Sequence, residues 1–368
     1  MSNRSGIATA AAATFVCIMS LGVWQFASSS LAIQGNDLPQ SWRDFREGRT
    51  TGKLEKELEQ KMPARPTLIA FANAVRYLLT NGAGEQVRMG NDQWLFLTEE
   101  LRFDLDGINN LTARTNLIAK VKQHLENKHV KLVIALVPDK ARVYANHLAN
   151  KHYPAATASR YMNALTALRS RGVTVVDLLA PLTQAAQTQE VYYRSDTHWN
   201  QAGAKIAAIA IAQLINATEL KFDKTEFKST TSNKNTERPG DLIRLMGLEN
   251  TPNTFRPSAD TEYTITTGQT SSDSPAGLFG DSNTQITLTG TSYSLRGNFH
   301  GFLQEALSAK VLNAAKDGGG FLHATIQYLK DDSFKITPPK VLVWELPERF
   351  LQVAQDDEPN GKEQILHP

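Results

Sequence analysis

Two places in this sequence carry residue types that could do chemistry together. The first is YYRSDTHWNQAG, Tyr192 to Gly203, where Asp196 and His198 stand two apart. A carboxylate beside an imidazole can hold it in one tautomer and stabilise its protonated form, as the acid of a Ser-His-Asp triad does. The same pair could instead shape a loop, with Asn200 as the N-cap of the helix that follows. The second place must supply a nucleophile, and two serines compete. Gly280-Asp281-Ser282 has the Gly-Asp-Ser string of many esterases; Gly290-Thr291-Ser292-Tyr293-Ser294 matches it less literally. Context favours Ser292. A nucleophilic serine belongs at the carboxyl end of a buried strand, and ITLTG alternates as a strand directly before Thr291. SSDSPAGLF, before Ser282, contains Pro275 and Gly277 and reads as loop. Asp281-Ser282-Asn283 then reads as the turn into that strand.

These residues need a scaffold, and the hydrophobic pattern supplies one. KLVIALVP (131–138), VTVVDLL (173–179), TQITLTG (284–290), AKVLNAA (309–315) and KVLVWEL (340–346) are short apolar runs of the kind buried on both faces of a parallel sheet. Helical patterns cover 113–127, 156–171, 201–215, 298–307 and 322–329. The alternation predicts an α/β fold, a parallel sheet flanked by helices. Before it, helices are expected at 51–62 and 68–79 and a strand at 94–97. Residues 217–278 are rich in Thr, Ser, Asn, Asp and Pro and read as a β-containing insertion with no chemistry of its own. The tail from 353 is polar.

Lys140 and Tyr144 follow a strand end, where ligands collect in open α/β sheets. They are candidates to bind an acidic sugar or orient an acyl donor, or else simply begin a surface helix. Arg349 is a candidate for an anionic sugar or for an ion pair with Glu345 or Glu348, and Trp199 for packing under its loop. The 8 histidines form no HxH or HExxH pattern and the single Cys17 cannot build a cysteine site. No metal or other cofactor is expected. With 39 basic against 37 acidic residues there is no excess charge for nucleic acid.

The motifs VPDKARVY (137–144), DTHWNQAGA (196–204), LTGTSYS (288–294) and VWELPERF (343–350), with NDQWLFLTEE (91–100), occur in an order that resembles the AlgJ/AlgX family of alginate O-acetyltransferases, SGNH-hydrolase-like periplasmic proteins. The resemblance runs from about 85 to 352 and is closer to the AlgJ type, since no C-terminal carbohydrate-binding module follows. It implies Asp196 and His198 as acid and base, Ser292 as the acetyl carrier, and an SGNH-like sheet with a rearranged motif order. It also implies an exopolysaccharide acceptor such as alginate, an MBOAT-type membrane protein delivering the acetyl donor, and further acetylation-complex proteins as partners. The usual oxyanion-hole Asn is missing where Glu345 stands. Backbone N–H groups of Ser292 and of the run Gly318-Gly319-Gly320 are the candidate donors, Gly319 and Gly320 foremost. A carbohydrate acetyl esterase and a non-catalytic polysaccharide-binding scaffold remain open alternatives.

The first 32 residues fit the same picture. Arg4 is the only charge before Asp37, and the stretch between is apolar and small, ending in Ser30-Leu31-Ala32. That is the form of a signal peptide or membrane anchor. It predicts export to the periplasm or attachment to the inner membrane, followed by a helical segment over 33–84 and the acetyltransferase-like domain over 85–352.

Overall fold

The computed structural model describes residues 65–149, 153–270 and 284–353, with a few isolated positions before 50. The expected export segment, the helix at 51–62, Ser282 and the tail beyond 353 lie outside the described residues. The chain forms two units, Met1–Val75 and Arg76–Pro368, and the sheet and the site belong to the second.

Helix α1 (Arg65–Thr80) carries Pro66 in its first turn, where a missing N–H costs nothing, and stops at Asn81, whose φ of 53° is the left-handed helix stop. A small antiparallel pair follows, β1 (Val87–Met89) and β2 (Leu95–Leu97), then the single turn α2 (Thr98–Leu101), the long α3 (Gly107–Glu126) and, further on, the single turn α4 (Lys140–Val143).

The core is a five-stranded parallel sheet. From one edge to the other run β4 (Thr174–Asp177), β3 (Lys131–Val137), β9 (Val341–Pro347), β7 (Ile286–Thr289) and β8 (Val311–Asn313). All five expected strands form, with ends shifted by up to two residues. Side chains alternate across the sheet. Val133, Ala135, Val137, Ile286, Leu288 and Val343 face one layer, made by α6 (Leu179–Ala185), the alanine-rich α7 (Gln201–Asn216) and α9 (Phe299–Leu307). Leu132, Ile134, Leu136, Leu342 and Trp344 face the other, made by α3, α5 (Arg160–Arg169) and α10 (His323–Lys330). The result is the α/β arrangement the alternation predicts.

Residues 217–270 hold a two-stranded antiparallel ribbon, β5 (Phe227–Arg238) with β6 (Asp260–Gln269), joined through the short helix α8 (Asp241–Leu245). The β content is as expected, but the expectation that this insertion carries no chemistry is corrected below.

Candidate active site

The carboxyl ends of β3, β7 and β9 meet at one point. β7 ends at Thr289, and Gly290 turns the chain with φ 150°. A Cβ there would lie 2.6 Å from Glu345 Oε2 and 2.7 Å from Glu345 O, so only glycine fits. Thr291 and a short 3-10 turn, Ser292–Leu295, follow. The buried Glu345 carboxylate supports this turn from β9. It accepts the Thr291 N–H at 2.7 Å, the Thr291 hydroxyl at 3.0 Å and the Ser294 hydroxyl at 3.0 Å. Burial pushes the Glu345 carboxyl up, and these bonds oppose that push. The position that lacks an oxyanion-hole Asn thus carries the post that fixes the serine turn.

The loop with Asp196 and His198 is stitched to that turn twice. Trp199 Nε1 donates to Tyr293 O at 3.1 Å, and the Tyr293 hydroxyl donates to Thr197 O at 2.8 Å. Trp199 is fully buried, as its expected packing role requires. Asn200 caps α7 by accepting the Gly203 N–H at 3.0 Å. Between the stitches, His198 Nε2 lies 2.7 Å from Ser292 Oγ and His198 Nδ1 lies 2.5 Å from Asp196 Oδ1. Asp196 Oδ1 also accepts the His198 N–H at 2.9 Å. Asp196 and His198 are 5% and 6% exposed, while Ser292 is half-buried at the mouth. Burial alone would raise the Asp196 carboxyl. Its hydrogen bonds and charge contact with His198, and the Arg238 guanidinium, instead hold it well below the usual carboxylate range. The geometry brings together an ionised carboxylate, a ring nitrogen poised to accept a proton, and a hydroxyl that can lose one. That arrangement can activate an alcohol oxygen for attack on a carbonyl.

The remaining candidates divide. Lys140, a candidate for substrate or for a surface helix start, is neither: it is fully buried. Its ammonium donates to Arg194 O and Asp196 O, both at 2.8 Å, and lies 5.3 Å from the Trp94 and Phe96 rings. Tyr144 is likewise turned inward, stacking on Trp94 and accepting the Val191 N–H at 2.8 Å. Arg349 is not free for an anionic sugar, nor does it pair with Glu345 or Glu348. It is buried and binds Asp139 at 3.1 Å and Glu99 at 3.5 Å. Glu348 pairs with Arg142 at 2.6 Å. The corrections at Lys140 and Arg349 share a cause. The ends of β3 and β9 hold several buried acids, and the cations predicted for ligand satisfy those acids and the loop carbonyls. Of the glycine run, Gly319 spends its N–H on Lys316 O at 3.1 Å and so drops out as an oxyanion donor. Gly320, with φ 52°, stays partly exposed. Ser292 opens its 3-10 turn, so its N–H has no acceptor within that turn.

The insertion supplies what sequence reasoning missed. Asp260 accepts the N–H of Arg194 at 2.8 Å and of Ser195 at 2.9 Å, and the Ser195 hydroxyl at 2.5 Å. Glu262 accepts the Tyr193 hydroxyl at 2.8 Å. Asp241 accepts the Thr197 N–H at 2.8 Å and the Thr197 hydroxyl at 2.5 Å. The only signal in the sequence is Pro239-Gly240-Asp241, which reads as an ordinary turn. Asp196, His198 and Asp241 are also the only trio among the described residues with metal-ligand types this close, within 4.8 Å. His198 Nδ1 bonds to Asp196 Oδ1 and Asp241 Oδ2 to the Thr197 hydroxyl, both at 2.5 Å.

Comparison with known proteins agrees with the α/β fold. The family model described as "SGNH hydrolase-like domain, acetyltransferase AlgX" matches residues 87–348. A curated relative from Pseudomonas syringae pv. tomato, named probable alginate O-acetylase AlgJ, is 32% identical over 344 residues, covering 92% of this chain and 86% of its own. The solved O-acetyltransferase domain of Pseudomonas putida AlgJ superposes with a TM-score of 0.66 at 34% identity, covering 76% of this chain and 98% of that one. Pseudomonas aeruginosa AlgX gives a TM-score of 0.54 at 26% identity, over 71% of this chain and 62% of that one.

Proposed function

The chain belongs to the AlgX family of SGNH hydrolase-like acetyltransferase domains, and from that premise we propose that it carries acetyl groups on Ser292 to hydroxyls of an exopolysaccharide. Alginate is the polymer in its relatives' names and is the acceptor proposed here. The observation that carries the proposal is the unbroken series from Ser292 Oγ through the His198 ring to Asp196, with links of 2.7 and 2.5 Å.

In the proposed mechanism, His198 Nε2 takes the Ser292 proton as Oγ bonds to the donor's acetyl carbon. Asp196 holds the Nδ1 proton and stabilises the imidazolium. The oxyanion lies against the Ser292 N–H, with Gly320 as the second candidate donor; each such donor is typically worth about 3 kcal/mol in the transition state. The intermediate collapses, the leaving group departs with the proton from His198, and acetyl-serine remains. An acceptor hydroxyl then gives its proton to His198 and attacks the acetyl carbon. Ser292 recovers that proton as it leaves. The proposed setting is the periplasm, reached by export or anchoring through residues 1–32. The donor would be delivered by an MBOAT-type membrane protein within an acetylation complex.

The test is incubation of purified protein with p-nitrophenyl acetate and a polymannuronate oligomer. Acetylated oligomer is the expected product, and Ser292→Ala should give none. Free acetate with unmodified oligomer would replace the transferase reading with an esterase. A Ser292→Ala variant that still supported polymer acetylation in cells would point to a scaffold.

A further inference from the structure

The mechanism leaves one half-buried carboxylate beside His198 unused. Asp241 Oδ2 lies 3.6 Å from His198 Nδ1. The Thr197 hydroxyl touches both, donating to Asp241 Oδ2 at 2.5 Å and lying 3.3 Å from Nδ1. The segment that delivers Asp241 is built to reach this spot. A Cβ on Gly240 would lie 2.0 Å from Ser195 O, so only glycine lets the chain approach. The Gly240 N–H donates to the Ser195 hydroxyl at 3.1 Å and the Leu242 N–H to Ser195 O at 3.2 Å. The Asp241 N–H donates to Asp196 Oδ2 at 3.2 Å. One segment of the insertion therefore touches Ser195, Asp196, Thr197 and His198 in turn.

From this juxtaposition, and resting on the function proposed above, we infer that Asp241 is a positioning residue of the acyl-transfer step: a second carboxylate that fixes the Nδ1 edge of His198 through Thr197. Two nearby acids on one imidazole edge give the ring added stabilisation once it takes the serine proton. The charged groups around the pair are Asp196 on the same loop, Arg238 at the end of β5, Lys140 after β3 and Glu345 on β9. Burial first, then Asp196, pushes the Asp241 carboxyl up. The site thus holds this second acid at a cost, as expected of a group with a function.

The test is the pH dependence of acylation by p-nitrophenyl acetate, followed as p-nitrophenol release. Asp241→Asn should lower the plateau rate about tenfold, leave KM for the ester within about twofold, and move the acid limb to lower pH. The limb moves down because the imidazolium loses a neighbouring anion. Thr197→Val, which cuts only the hydroxyl bridge and keeps the carboxylate beside Nδ1, should lower the plateau less and leave the acid limb in place. If Asp241→Asn does not fold, Thr197→Val alone decides. Folded variants whose limb and plateau match the parent protein would overturn the inference and leave the Ser292 mechanism standing. Absence of any acylation in the parent protein would instead overturn the proposed function.

Discussion

At the scale of single residues, burial separates the groups that act from the groups that hold. Ser292 reaches the surface while Asp196 and His198 do not, so substrate can meet the hydroxyl without wetting the Asp196–His198 contact behind it. His198→Ala is expected to cut acetyl transfer by at least about 10³-fold, because the serine then lacks its base; initial rates with an activated ester check this. Glu100 makes a different prediction. It is fully buried, with Oε2 bound to the Ala141 N–H at 2.9 Å and Oε1 without a partner. Burial first, and Asp139 next, push its carboxyl up to about 8. An unfolded glutamate loses its proton near pH ~4.3. Between those values the folded chain binds the extra proton, so stability falls as pH rises. Glu100→Gln should therefore gain stability relative to the parent progressively from about pH 4.3 to 8. Thermal melts across that range test it; a constant difference would show that Glu100 stays ionised.

At the scale of elements, the insertion behaves as a clamp. Asp260, Glu262 and Asp241 bind side chains and N–H groups of residues 193–197 from one side, and Lys140 binds the carbonyls of Arg194 and Asp196 from the other. Lys140→Met should lower kcat by about tenfold with little change in KM, since the ammonium positions Asp196 and does not meet substrate. A KM effect with kcat unchanged would return Lys140 to substrate binding, one of the two readings its sequence position offers. The strands were legible because β3 and β9 are apolar runs buried on both faces, and the helices because their apolar positions recur on one face. The clamp was not legible. Asp241 and Asp260 lie 44 to 66 positions from the groups they bind, in a polar stretch with no periodic pattern. Nothing local distinguishes a carboxylate that will bind a distant loop from one that faces water. The same holds for Arg349 and Lys140, whose positive charge suggested a ligand when the fold had already supplied the acids and carbonyls.

At the scale of the molecule, Ser292 comes from the end of β7, His198 and Asp196 from the loop before α7, and their support from β9 and the insertion. These segments are spread from 196 to 345 in the sequence, yet each lies at the same end of the sheet, where the carboxyl ends of parallel strands open a crevice. The order of motifs showed which segments must converge; the sheet order β4-β3-β9-β7-β8 shows how. Gly290 is the tightest point in that convergence. Gly290→Ala should destabilise the fold by about 1–3 kcal/mol through overpacking against Glu345 and displace Ser292, which melting and acylation rates together would report. The central claim is that this convergence makes one hydroxyl reactive. Mass spectrometry after exposure to p-nitrophenyl acetate tests it directly. The account predicts a single acetyl adduct on the peptide containing Ser292, lost in Ser292→Ala and in His198→Ala. An adduct on a different residue, or one that persists in both variants, would contradict it.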